Sequence, residues 1–252
     1  MKTQMETPTT PTLKVALVTG GAGDLGRACV EALLARGMSV AVLDRRPSEI
    51  SVDPKHGEVM SVTADITSPN AVTRAHGEVV NRFGDVSVLV NAAGIARSTR
   101  FDDISLEEWN EVLTATLTGT FLLTRACVPA MRRRGHGRIV NFSSTAGKNV
   151  STLAGAHYTT AKAGILGMTR ALAQELGSAG VTVNAVCPGV FETSMARSLA
   201  SGLDLDAYVE SLPIPRIGAP WEVGELVAFL VSDQAAYITG ASLDINGGEL
   251  MV

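Results

Sequence analysis

The chain is poor in cysteine and histidine and carries no excess of positive charge. Its three cysteines, Cys29, Cys127 and Cys187, are odd in number and far apart, which argues against a disulfide framework and against a zinc site. Such thiols suit a reducing cytoplasm. The four histidines, His56, His76, His136 and His157, have no ligand spacing, so no metal is expected. A net charge of −4 leaves no basic field to hold a nucleic-acid backbone or an anionic membrane, and neither is an expected partner. The one basic run, Arg132-Arg133-Arg134, closes a predicted helix, where cations complement the negative end of the dipole. No apolar run reaches the roughly 18 residues that span a bilayer, since the stretch from Val86 to Ala96 is broken by Asn91 and Gly94. Residues 1–12, rich in Thr and Pro without an apolar core, read as a flexible tail rather than a signal peptide or anchor. Internal repeats and linkers are also missing, so residues 13–252 are expected to form a single domain.

What is present is an alternation. Short apolar, β-branched runs at Lys14–Thr19, Ser39–Leu43, Glu58–Thr63, Val86–Asn91, Arg138–Phe142, Val181–Cys187 and Ala241–Ile245 are separated by longer helical patterns. Seven such runs imply an α/β fold in which a parallel sheet is covered on both faces. The helices carry their own punctuation. Ser68-Pro69 supplies an N-cap and a proline at the first helical position, with Gly84 past the far end. Ser105 and Glu108 have capping-box spacing ahead of a stretch ending near Met131, and Gly37 closes the first helix.

The first strand runs into Thr19-Gly20-Gly21-Ala22-Gly23-Asp24-Leu25-Gly26, and a helix begins at once. Strand, glycine turn and helix N-terminus together offer free backbone N–H groups and a positive dipole end to a pyrophosphate. The second strand ends at Asp44, eighteen residues beyond Gly26. A carboxylate there accepts from both ribose hydroxyls and repels a 2′-phosphate, favouring NAD over NADP, although Arg45 and Arg46 could instead greet that phosphate. Tyr158 and Lys162 lie four apart on a predicted helix from Gly155 to Gly177 and so share a face. A phenol is a poor base at neutral pH, but an adjacent ammonium favours the phenolate and makes it a usable acid or base.

The glycine turn, Asn91-Ala92-Ala93-Gly94, Ser144, Tyr158-Thr159-Thr160-Ala161-Lys162 and Cys187-Pro188-Gly189 occur in one order, and from Lys14 onward the chain resembles the classical short-chain dehydrogenase/reductase family. The resemblance implies a doubly wound Rossmann sheet of seven strands, a nicotinamide cofactor, and hydride exchange between an alcohol and a ketone as the small-molecule partners. By motif, Tyr158 would handle the proton of the reacting oxygen and Ser144 would hold that oxygen, with Ser143 its rival. Lys162 would bind the nicotinamide ribose and lower the Tyr158 pKa. Gly20, Gly23, Asp24, Leu25 and Gly26 would form the phosphate turn, Asp44 and Arg45 the adenosine-ribose contact, Asp65 and Ile66 the adenine edge. Asn91, Ala92 and Gly94 would close the crevice. Pro188, Gly189, Phe191 and Thr193 would clamp the nicotinamide amide, Phe191 through its backbone and Thr193 through its side chain.

Two positions depart from the family pattern. Asp24 replaces the middle glycine of the turn, where a carboxylate is electrostatically wrong unless it points away. Thr116 stands where an Asn usually completes a catalytic tetrad, so its hydroxyl or its backbone carbonyl would have to hold the relay water. The region around 192–217 resembles a substrate lid, whose Met195, Leu199, Leu203, Tyr208, Pro213 and Ile214 either pack a helix or line a pocket. His157 is either substrate-lining or simply packed. Lys148 is either a solvated loop lysine or a reader of an anionic or polyol substrate. The long helices near Glu111 and Gly167 and the C-terminal strand resemble the family's assembly faces, implying a two-fold symmetric homotetramer or homodimer. The departures leave room for a non-catalytic nucleotide-binding or regulatory protein, or for an epimerase or lyase on the same fold.

Overall fold

The computed structural model describes residues 15–48, 50, 57–151, 153–199 and 205–252. The expected tail, Lys14 and Leu203 lie outside the described residues. Seven strands form one sheet: β1 (Val15–Thr19), β2 (Ser39–Asp44), β3 (Val59–Thr63), β4 (Val88–Asn91), β5 (Gly137–Phe142), β6 (Val181–Pro188) and β7 (Ser242–Ile245). Every pairing is parallel and the order is β3-β2-β1-β4-β5-β6-β7. The strand order reverses between β1 and β4, which is where an open α/β sheet leaves a crevice at its carboxyl edge.

Alternate residues of each strand feed two cores. Leu17, Leu43, Leu89 and Ile139 pack against α2 (Pro69–Phe83), α4 (Gly119–Arg134) and α5 (Ala156–Leu176). Their neighbours Val18, Val42, Val90 and Val140 pack on the other face against α1 (Asp24–Leu34) and α8 (Pro220–Leu230). This is the period of two expected of strands covered on both sides.

Ser68 Oγ accepts from Ala71 N, with Pro69 at the first helical turn and Gly84 at the C-cap. Ser105 Oγ accepts from Glu108 N, but the Glu108 carboxylate does not return to close a capping box, because it is drawn to His157 instead. The expectation that no segment is long and apolar enough for a membrane needs correction. Between α3 (Leu106–Leu113) and α4 a π-helical turn, Thr114–Thr118, joins the two into a 29-residue rod that qualifies by length and composition. Half of its apolar window is buried, and Leu123, Cys127 and Met131 belong to the sheet core, so within this fold it is a core helix. The basic run at its end is paired, Arg132 with Glu175 and both Arg133 and Arg134 with Asp85.

Candidate active site

The crevice at the carboxyl edge of β1, β4, β5 and β6 encloses a cavity of about 580 Å³. One end is made of backbone. Gly20 takes φ +68°, a conformation L side chains rarely adopt, and a Cβ there would stand 2.8 Å from the Cα of Ala93. A Cβ on Gly26 would stand 2.2 Å from the carbonyl oxygen of Gly20, so only glycine lets α1 start this close to the turn. Asp44, at the end of β2, accepts from Ala22 N at 3.2 Å and from Arg46 N at 3.0 Å. Arg46 is held beside that carboxylate, with Nε 3.8 Å away, and also reaches the Ala22 carbonyl. Asp65 is fixed by accepting from both the N–H and the hydroxyl of Thr67. A glycine cradle that any Cβ would fill, at a helix N-terminus and beside a strand-end carboxylate, fits a dinucleotide.

The other end is made of side chains. The Ser144 hydroxyl lies close enough to the Tyr158 hydroxyl to favour its phenolate. Ser143, the rival, is buried and donates to the Lys162 carbonyl at 2.8 Å, so it braces α5 rather than meeting Tyr158. Lys162 Nζ lies 5.5 Å from the centre of the Tyr158 ring and donates to the Phe142 carbonyl at 2.7 Å. The expected lowering of Tyr158 by Lys162 is not found in the chain's own electrostatics. Burial pushes the phenol up, with the Ser144 hydroxyl opposing, while burial pulls the Lys162 ammonium down to about 8. Both groups give up water, and each is shifted toward its neutral form.

Gly20, Gly23, Asp24, Leu25, Gly26, Asp44, Arg45, Asp65, Ile66, Ala92, Gly94, Ser144, Tyr158, Lys162, Pro188, Gly189, Phe191 and Thr193 all line this cavity. Asn91 and Thr116 stand behind its wall. Asn91 donates to Asn141 and Thr124, tying β4 to β5 and α4. Thr116 sits in the middle of the π turn, where its hydroxyl accepts from Ile95 N at 3.3 Å and its carbonyl accepts from Thr120 Oγ1 at 2.8 Å. Only Gly94 separates it from Lys162: a Cβ there would lie 3.3 Å from Thr116 Oγ1 and 3.7 Å from Lys162 Nζ.

Asp24 does point away from the turn. Its Oδ2 accepts from both the N–H and the hydroxyl of Ser194, each at 2.7 Å, at the start of α6 (Ser194–Leu199). Partial burial raises its carboxyl, but the Ser194 bonds and the nearby Arg197 outweigh that and hold it below its ordinary value. No left-handed backbone is needed, because every described residue with positive φ is a glycine. Thr193 Oγ1 accepts from Ala196 N, so its side chain also caps α6. Of the expected lid residues, Met195 and Leu199 line the cavity. Lys148 is neither solvated nor in the crevice: it pairs with Asp244 at 2.7 Å and donates to the Ser242 carbonyl, fastening the loop after β5 to β7. His157 is packed, its Nδ1 accepting from Tyr158 N and its Nε2 facing Glu108 at 2.8 Å. The cavity also holds Glu249, which no sequence motif singled out, because a lone carboxylate after Gly247-Gly248 has no signature until the turn is seen.

The family profile described as Enoyl-(Acyl carrier protein) reductase matches residues 20–249. The chain is 38% identical over 242 residues to the 3-oxoacyl-(acyl-carrier-protein) reductase FabG of Escherichia coli (strain K12), covering 95% of this chain and 98% of that protein. It is 39% identical over 240 residues to the acetoacetyl-CoA reductase of Rhizobium meliloti (strain 1021), covering 94% and 98%. The crystal structure of a 3-oxoacyl-(acyl-carrier protein) reductase with bound NAD from Brucella melitensis superposes with a TM-score of 0.84 at 29% identity, covering 96% of this chain and 93% of that one. The chain belongs to the classical short-chain dehydrogenase/reductase family and is an NAD(P)-dependent oxidoreductase acting on CH–OH groups.

Proposed function

We propose that the protein interconverts a secondary alcohol and a ketone with NAD as its preferred cofactor and Tyr158 as the acid/base. The observation that carries this reading is the Ser144–Tyr158 hydroxyl pair on the wall of the crevice, with Lys162 Nζ 5.5 Å from the ring. The nicotinamide, when bound, supplies the acceptor or donor of the hydride. The chain's own part is positioning and proton handling. Ser144 holds the reacting oxygen, Tyr158 takes or gives the proton at that oxygen through its hydroxyl, and Lys162 binds the ribose hydroxyls with its three donors. Its ammonium then faces a phenolate rather than a phenol, an attraction that offsets the cost of burying both.

Asp44 supports NAD over NADP, because its carboxylate would face a 2′-phosphate directly. Arg46 does not overturn this, since it is already engaged with Asp44 and the Ala22 carbonyl. Thr116 supports a relay only through its backbone carbonyl, whose second lone pair remains for a water; its hydroxyl is spent on Ile95. The three cysteines are free and buried, which suits a reducing compartment. For assembly, Leu106 and Phe121 are exposed along the helical rod, Phe101 in the short turn ahead of it, and Tyr237, Met251 and Val252 around the C-terminal strand. Apolar surface of this kind supports a homotetramer or homodimer, and light scattering at micromolar concentration should show no stable monomer.

A panel of secondary alcohols and ketones offered with NAD(H) and with NADP(H), read at the reduced-nicotinamide absorbance, tests the reaction. Turnover that survives Tyr158→Phe would overturn the assigned chemistry.

A further inference from the structure

Asp24 belongs to the phosphate turn, yet its carboxylate is committed to a segment from the other side of the crevice. Asp24 opens α1 and so follows β1, whereas Ser194 opens α6 and follows β6. In the sheet β4 and β5 lie between those two strands. Three strand spacings amount to roughly 14 Å, so the contact is made above the carboxyl ends of β4 and β5. Those are the ends whose following residues, Ala92 to Ile95 and Ser143 to Ala146, line the cavity.

The bridge is short and doubly bonded. Asp24 Oδ2 accepts from the N–H and from the hydroxyl of Ser194, both at 2.7 Å. The N–H is one of the donors that a helix start leaves without an internal partner, and Arg197 adds its charge nearby. Of the two helices in the expected lid region, α6 and α7 (Leu205–Ser211), α6 is the one whose described residues line the crevice. It is six residues long and buries none of them, so neither helical cooperativity nor core packing fixes it. Its start is held instead, by the Thr193 side-chain cap and by Asp24.

We propose that the Asp24–Ser194 clasp is a strap across the crevice that gates exchange of the nicotinamide coenzyme, whose diphosphate reaches and leaves the glycine turn only while the clasp is open. Asp24 is then a positioning residue, setting rates of entry and exit and taking no part in the chemistry. A carboxylate acting on the diphosphate by charge alone would slow arrival and hasten departure. A gate slows both. The proposal needs only that the coenzyme sits on the glycine turn, and it is independent of the proton handling at Tyr158.

The test measures association and dissociation of NADH, with NADPH in parallel, by stopped-flow fluorescence on the whole protein without substrate. Asp24→Ala and Asp24→Asn both remove the charge, but Asn keeps an oxygen that accepts from Ser194. Both rate constants in Asp24→Ala should exceed those in Asp24→Asn by about tenfold, while Kd differs by less than about threefold. Ser194→Ala keeps the carboxylate and loses one of its two donors, so it should raise both rates by a smaller factor and add little to Asp24→Ala in the double variant. Amide hydrogen exchange of the protein without coenzyme should show Ser194–Leu199 opening faster in Asp24→Ala than in Asp24→Asn. Equal rates in Asp24→Ala and Asp24→Asn would reduce Asp24 to its charge and overturn the clasp. A rise in dissociation with association unchanged overturns the gate as well, since the clasp would then be only a contact of the bound state.

Discussion

The two ends of the crevice are built from different materials. The end for adenosine and phosphate is a surface of glycine backbone and one helix start with the strand-end carboxylates of Asp44 and Asp65, contributed by the first three strands and the turns after them. The reacting end gathers the side chains of Ser144, Tyr158 and Lys162 with that of Glu249 from the far C-terminal turn, and burial moves the proton affinities of the last three. Backbone binds a common group by shape. Desolvated side chains perform the chemistry, and losing one should affect a different observable from losing a binding contact.

The largest effect is expected at Tyr158. Phenylalanine keeps the ring and removes only the hydroxyl, so turnover should fall by about 10²–10⁴-fold. Cofactor affinity, measured by fluorescence titration, should hardly change, and a matching loss there would erase the distinction between the two ends. Asp44→Ala should do the reverse. A charge-assisted bond is worth about 1.5–3 kcal/mol, so NAD affinity should fall roughly 10- to 100-fold and the gap to NADP should narrow, with turnover at saturating NAD little altered.

Lys162 sharpens the contrast through pH. Its folded pKa of about 8 lies below the ordinary 10.5, so between these values the unfolded chain holds a proton that the folded chain has released. Folding stability from this group therefore rises with pH across that window, and below it the buried charge is a burden. Denaturant unfolding should show the wild type gaining on Lys162→Met as pH is raised from 7 toward 10. A flat difference would mean that Lys162 is not desolvated. The smallest effect belongs to Thr116. Thr116→Val removes its bond with Ile95 and should cost about 1 kcal/mol of stability, while turnover, if the carbonyl holds the relay, falls only a few-fold. A loss comparable to Tyr158→Phe would return the relay to the hydroxyl.

What was legible in the sequence follows the same division. All seven strands fall within two residues of their expected bounds, because each is a short β-branched run between strong turn signals. The glycine turn and Asp44 were readable because their constraint is local. Four features were not. Asp24 meets Ser194 across 170 positions, Lys148 meets Asp244 across 96, and Glu108 leaves its own helix start for His157. Glu249 depends on a double-glycine turn whose direction only the fold shows. In each case the side chain's partner comes from a distant segment, and residue spacing carries no information about it. The helical rod was legible as one stretch from the Ser105 cap to near Met131, but its π turn was not, because a local change in helix winding leaves no signature in residue type.

The order of the sheet also has a consequence for how the molecule comes into being. Because every pairing is parallel, no two strands can zip up as a hairpin, and each must wait for a crossover to close before it gains a neighbour. Strands β1 to β3 can pair among themselves as soon as they emerge from a ribosome, which completes the phosphate turn and Asp44 early. Strand β4 then adds to the opposite edge of β1, and the sheet grows outward from there to β7. The chain thus acquires its grip on the coenzyme before it acquires its chemistry, and Glu249 is among the last residues to arrive. A coenzyme present during synthesis would meet a half already shaped for it, and could act as a template on which the slower half assembles.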